Sequence, residues 1–225
     1  MSGYESYLSL IVIAVVILVV YLAVRVEKRR REQMRRQAAL LGFSFEEQRA
    51  LDAEPYRRLP VFGRGRRQRI RNVLRRSSGR EETFVFDFSF SQGSGKSSNR
   101  YWLTIVLQRF SGLSLPRFEL RPEVIVYKVA SWLGLQDVDF PDDPEFSSKY
   151  LLRGEDEKRI REIFSVPVRL QLRERTGWSV EAEDEWLAVY QGMRRIKAHE
   201  IGKFISEAEQ VSKAIAESYR SKTAG

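Results

Sequence analysis

The chain has 225 residues, 43% of them hydrophobic and 12% aromatic, which is a globular mixture and not a disordered one. It has no cysteine, which excludes disulfides, thiolate metal sites and cysteine nucleophiles, and its single histidine, His199, is too few for a multi-histidine metal centre. The formal charge of +9 is unevenly spread: Arg25 to Arg36 hold seven basic residues and two Glu, Arg57 to Arg80 hold ten Arg and no acid, and the remainder is net negative.

The chain opens on a membrane anchor. No residue from Ser6 to Val24 is charged, and such a stretch at the helical rise spans about 28 Å, close to the hydrocarbon thickness of a bilayer. The segment before it lacks the basic residues of a signal peptide, and a basic cluster, Arg25-Val26-Glu27-Lys28-Arg29-Arg30-Arg31, follows it directly. The positive-inside rule then places the N-terminus outside and the C-terminus in the cytoplasm, as for a single-pass protein of the inner membrane. Residues 1–25 are read as the anchor and 26–42 as a basic juxtamembrane helix, rich in helix formers and ending at Gly42. That neck lifts the following domain off the bilayer or lies on it.

Residues 43–225 read as a cytoplasmic α+β domain, a mainly antiparallel sheet with a long C-terminal helix. Phe43 to Pro60 lacks periodicity and reads as an irregular connection. Ile70 to Arg75 is expected as an edge strand protected by its arginines. Phe84, Phe86, Phe88 and Phe90 alternate with smaller residues as a half-buried strand, and Tyr101 to Phe110 forms its hairpin partner across a polar, glycine-rich connection. Arg117 to Arg121 is a further strand. Helices are expected over Glu123 to Leu135, Glu155 to Phe164 and Val168 to Arg175, with a strand over Lys149 to Arg153. Trp178 to Glu183 and Trp186 to Tyr190 read as paired strands around an acidic turn. The last element, His199 to Tyr219, is a helix with Ile201, Phe204, Ile205, Ala208, Val211, Ile215 and Tyr219 near helical spacing. The strand count resembles pleckstrin-homology-like barrels, apart from the interrupting helices.

Three motifs tempt and are set aside. Gly93-Ser94-Gly95-Lys96-Ser97 ends like a phosphate-binding P-loop, but Phe90 stands where the first glycine belongs and a strand follows instead of a helix. Asp137, Asp139, Asp142, Asp143 and Glu145 lack calcium-loop spacing and read as a solvated loop with turn chemistry. His199 has no visible partner set. No catalytic, metal or cofactor site is expected.

The functional lead is the arginine-rich stretch. Arg64, Arg66, Arg67, Arg69 and Arg71, with Arg25, Lys28, Arg29, Arg30 and Arg31 of the neck, are the expected contacts for anionic lipid or an acidic partner. Each Lys or Arg close to a negative leaflet adds about 1 kcal/mol of attraction. The anchor favours lipid head groups over nucleic acid.

Asp143-Pro144-Glu145-Phe146, Tyr150-Leu151-Leu152 and Glu155-Asp156-Glu157 resemble uncharacterised bacterial membrane-anchored proteins, in which an apolar N-terminal segment precedes a cytoplasmic α+β domain. The resemblance implies the same layout and no active site. The reading is thus a membrane-tethered interaction or scaffold protein. A membrane-associated enzyme and a subunit of a membrane complex, docked through helix Ile201 to Tyr219, are the alternatives.

Overall fold

The computed structural model describes residues 2–49, 55–93, 95–123, 136–175 and 177–223. A single helix, α1 (Ser2–Leu40), runs without a break through the boundary expected between anchor and neck. Its apolar stretch from Tyr7 onward is long and hydrophobic enough to cross a membrane, and none of that stretch is buried against protein. The far end behaves differently: Met34 and Ala38 are fully buried, and Arg30 nearly so. This end of α1 packs against the sheet as one of the domain's own layers. Gly42, at φ +73°, stops the helix; its N–H and that of Phe43 cap the carbonyls of Ala39 and Ala38, a left-handed turn that glycine adopts without strain.

The chain then returns along α1 as β1 (Ser44–Arg49), which was expected to be irregular. Among the described residues, nine strands form a single antiparallel sheet: β1, β2 (Arg66–Ser78), β3 (Glu81–Gln92), β4 (Asn99–Phe110), β5 (Leu115–Pro122), β6 (Gln136–Asp137), β7 (Tyr150–Gly154), β8 (Trp178–Asp184) and β9 (Trp186–Gln191). Their order is β1-β2-β3-β4-β9-β8-β5-β7-β6, an open sheet and not a barrel. The arginine-bearing strand β2 is thus not the edge; β1 covers it, with Ser44 opposite Arg75 and Arg49 opposite Ile70. The acidic-turn hairpin is present, Glu183 pairing with Trp186. The helix expected from Glu123 to Leu135 lies outside the described residues.

Both faces of the sheet are covered, so β3 is buried on two sides and not one. On one face, Val85, Val106, Val180 and Val189 pack with Met34 and Ala38 of α1 and with α5 (Ile201–Thr223), α3 (Glu157–Ile163) and α4 (Val166–Glu174). The buried stripe of α5 is the predicted one, and Phe204 stacks on Trp178 at 5.3 Å. That stripe is spent inside the domain, so α5 offers no apolar docking face. On the other face, Phe84, Phe86, Phe88 and Phe90 meet Tyr56, Leu59, Val61 and Phe62 from two short 3-10 turns, Pro55–Arg58 and Pro60–Gly63. Phe62 meets Phe88 edge-on at 5.3 Å.

Candidate functional site

A buried carboxylate fixes the neck to the sheet. Asp87, on β3, is wholly buried and accepts hydrogen bonds from Arg30 (2.9 and 3.2 Å), Asn72 (2.9 Å), Thr104 (3.1 Å) and Arg195 (2.9 Å). Arg195 in turn forks onto Glu27 of α1 at 2.6 and 2.9 Å. Burial alone would push the Asp87 carboxyl up; Arg30 and Arg195 instead hold it below the usual carboxylate range. Hydrogen bonding to Arg195 lowers Glu27 likewise. Two turns of the neck are therefore clamped to β3 and to the segment after β9.

A second buried network sits near the opposite face. Arg64 donates to Glu119 (3.1 Å), Glu181 (2.8 Å) and the Tyr190 hydroxyl (2.6 Å), and Arg121 pairs with Glu119. Glu181 also accepts from the Val61 N–H at 2.6 Å, which holds down the 3-10 turns. Burial, then the neighbouring Glu181, push Glu119 up to about 7 despite the two arginines.

These two networks sort the expected basic residues. Arg30 and Arg64 are interior ion-pair partners and do not face outside anions; the burial that hides them also gives them carboxylates to bind. Arg31 pairs with Glu47 at 2.9 Å on the surface. Arg25, Lys28 and Arg29 stay exposed and line a shallow groove along α1 with Glu32, Gln33 and Arg36. At the far end of β2, Arg75 is matched to Glu82 and Arg76 to Glu209.

The remaining four converge. Arg66, Arg67, Arg69 and Arg71 line an open groove of about 910 Å³ with Gln48, Arg49, Arg57, Gly65, Gln68 and Ile70; among the described residues that line it are six arginines and no acid. Irregular backbone shapes it: β2 slips register between Arg66 and Arg69, and Arg67 sits at φ +54°, a left-handed conformation rare outside glycine. Gly65 lies against Ser91, where a Cβ would come within 2.5 Å of the carbonyl oxygen. Arg100, across the hairpin on β4, joins the cluster, a residue that sequence reasoning missed. Partial burial, then Arg69, Arg71 and Arg67, pull its guanidinium below the usual range. Its position opposite Ser91 and beside Tyr101 and Trp102 was the available signal.

The neck sets where this groove points. Glu47 of β1 lies beside Arg31 and Arg35, and the Arg35 guanidinium sits over the Phe45 ring, so β1 runs back along α1 toward the apolar end. Glu27, Arg31, Glu47, Gln48, Arg71 and Asn72 share one small cavity, so Arg71 borders two carboxylates there. Arg71 is thus level with residues 27–31, and Arg71 pairs with Asp87, Arg69 with Ser89. Two strand residues advance about 7 Å, the rise of roughly four to five helical residues. Arg69 and then Arg67 therefore stand level with the junction where the charged neck gives way to the apolar helix.

The other features have ordinary partners. Asp143 caps α2 (Pro144–Lys149) and binds Arg169 and Arg173, while Asp142 and Glu145 also meet those arginines and Asp137 meets Arg153. The Gly-Ser-Gly-Lys-Ser stretch is a hairpin connection between β3 and β4. His199 is exposed, 3.7 Å from Glu200. A cleft of about 490 Å³ opens over Tyr56, Leu59, Phe84 and Trp186, rimmed by Arg58, Arg109 and Glu183; burial raises the Glu183 carboxyl.

The fold has a solved counterpart. The crystal structure of the mycobacterial trehalose monomycolate transport factor A, TtfA, superposes with a TM-score of 0.61, covering 86% of this chain and 94% of that one at 11% identity. At that identity the likeness is one of fold. No family model and no curated protein matches the sequence.

Proposed function

We propose that this chain is a single-pass membrane protein, N-terminus outside and C-terminus in the cytoplasm, that acts without catalysis as an interaction domain held against the inner leaflet. The observation that carries it is the clamp on the neck: Asp87, Arg30, Arg195 and Glu27 join α1 to the sheet. An anchor continuous with a docked helix holds the domain in one orientation, with Arg66 to Arg71 and Arg25, Lys28 and Arg29 nearest the bilayer. A negative leaflet favours that orientation, each nearby cation adding about 1 kcal/mol. The shared fold with a protein named as a transport factor supports an accessory role in a membrane assembly. The place of Met34 and Ala38 in the core supports reading the neck, from about residue 26, together with the domain expected over 43–225.

Membrane-impermeant thiol labelling of intact cells tests the topology, and the absence of native cysteine makes each introduced one unique. Ser2→Cys is expected to label in intact cells, and Ser78→Cys only after lysis. The reverse pattern overturns the reading. The enzyme reading rests on the cleft with its raised Glu183 over an aromatic floor; a turnover abolished by Glu183→Gln would favour it.

A further inference from the structure

Toward the apolar end of α1 the sheet gathers arginines in a groove with no acid among its described lining residues. Several arginines of this domain meet acids: Arg30 with Asp87, Arg64 with Glu119 and Glu181, Arg75 with Glu82, Arg169 with Asp142 and Asp143. Arg66, Arg67, Arg69 and Arg71 line a concave surface with no acid among its described lining residues, Arg71 also bordering Glu27 and Glu47 in the adjoining cavity, and Arg100 of β4 reaches the cluster from beyond β3 by donating to Ser89, the residue that Arg69 pairs with. Arg66 donates to the Gly93 carbonyl at 3.4 Å and Arg100 to the Ser89 hydroxyl at 2.7 Å, both neutral oxygens.

Like charges gathered in a hollow repel, and bringing them together costs stability unless an anion joins them. Arginine is the residue suited to that role, since its planar fork matches phosphate oxygens two at a time. One phosphodiester would meet two of these guanidinium groups and leave the others facing one another. An anion bearing two phosphates matches the set better.

Position selects the source. Arg67 and Arg69 stand level with the end of the apolar helix, and Trp102, on β4 beyond β3, has Arg100 and Arg195 over its ring at 5.3 and 4.7 Å. Tryptophan is enriched at the membrane–water interface. We infer that the groove formed by Arg66, Arg67, Arg69, Arg71 and Arg100 binds the head group of an anionic lipid that carries two phosphates. The inference deepens the proposed orientation and rests on it, by naming what the basic edge holds.

The test uses the full chain purified in neutral detergent and native mass spectrometry. It is offered phosphatidylcholine, phosphatidylglycerol, diphosphatidylglycerol and, separately, inorganic pyrophosphate. Diphosphatidylglycerol is expected to be retained at least tenfold better than phosphatidylglycerol. The triple variant Arg67→Ala, Arg69→Ala, Arg100→Ala is expected to lose that retention tenfold or more. A control carrying Lys203→Ala, Lys213→Ala and Lys222→Ala on α5 keeps it. The Arg→Lys triple at the same three groove positions preserves charge and fold and is expected to fall between. Equal retention of the two anionic lipids, an unaffected alanine triple, or binding of pyrophosphate without the lipid overturns the inference. So does an acidic peptide that binds where the lipid does not. The thiol-labelling result is independent of all these outcomes, so a failure here leaves the topology standing.

Discussion

Arg64 and Arg66 are two residues apart, and they live in opposite electrostatic worlds. Arg64 is interior, with Glu119, Glu181 and the Tyr190 hydroxyl around it, and those partners raise its pKa against the opposing effect of burial. Arg66 is exposed at the mouth of a groove whose described lining holds no acid. The same division separates Arg30 from Arg29 on the neck: one is clamped to Asp87, the other faces outward. A basic stretch in a sequence is therefore two populations. One fixes the architecture, and the other is presented to the outside by that architecture.

The comparison can be broken from its interior side first. Arg64→Ala strands Glu119 and Glu181 in the core and is expected to destabilise the chain by about 3–5 kcal/mol, read as a fall in the thermal midpoint of the detergent-solubilised protein. Asp87→Ala leaves Arg30 without its carboxylate and is expected to cost a similar amount and to free the neck, read as faster hydrogen exchange across residues 26–40. Met34→Ala, which opens a hole beneath the neck, is expected to cost about 2–5 kcal/mol. By contrast, Arg67→Ala and Arg69→Ala together are expected to shift stability by no more than about 0.5 kcal/mol each, because surface positions are tolerant. A large loss there would show that the groove is structural.

The two buried carboxylate sites also answer pH in opposite directions. Asp87 is held low, so its stabilisation is present above the ordinary aspartate range and is lost as pH falls through its lowered pKa. Glu119 is raised to about 7, so its contribution is present below the ordinary glutamate range and is lost as pH climbs toward 7. Glu119→Gln is expected to flatten the decline of thermal stability between about pH 4.5 and 7. An unchanged slope would mean that Arg64 and Arg121 keep Glu119 ionised throughout.

Much of the fold was legible because it is local. The α5 stripe repeats at helical spacing, the β3–β4 hairpin alternates, and Trp178 to Gln191 turns on three acids. The edge strand β1 was not legible, since Ser-Phe-Glu-Glu-Gln-Arg offers only one apolar residue and is ordered by pairing with β2 and by α1 beside it. The docking of the neck was hidden for the same reason: Met34 and Ala38 look like ordinary helix formers until the sheet is present to bury them. The candidate site was half legible. Its arginines are plain in the sequence, but the exclusion of Arg30 and Arg64 depends on Asp87, Glu119 and Glu181, at least 55 residues away in the chain. The inclusion of Arg100 depends on strand register.

The orientation of the domain on the bilayer can be read by fluorescence quenching in nanodiscs that carry a quencher on the lipid head groups. One fluorophore is placed through Asn99→Cys at the membrane-ward end of the β3–β4 hairpin, and another through Ser78→Cys at the opposite end of the sheet, in separate full-length chains. Strong quenching at position 99 and little at position 78 is the predicted result, with the difference shrinking when Asp87→Ala releases the neck. Equal quenching at both positions, or stronger quenching at 78, would contradict a domain clamped with its arginine groove against the leaflet.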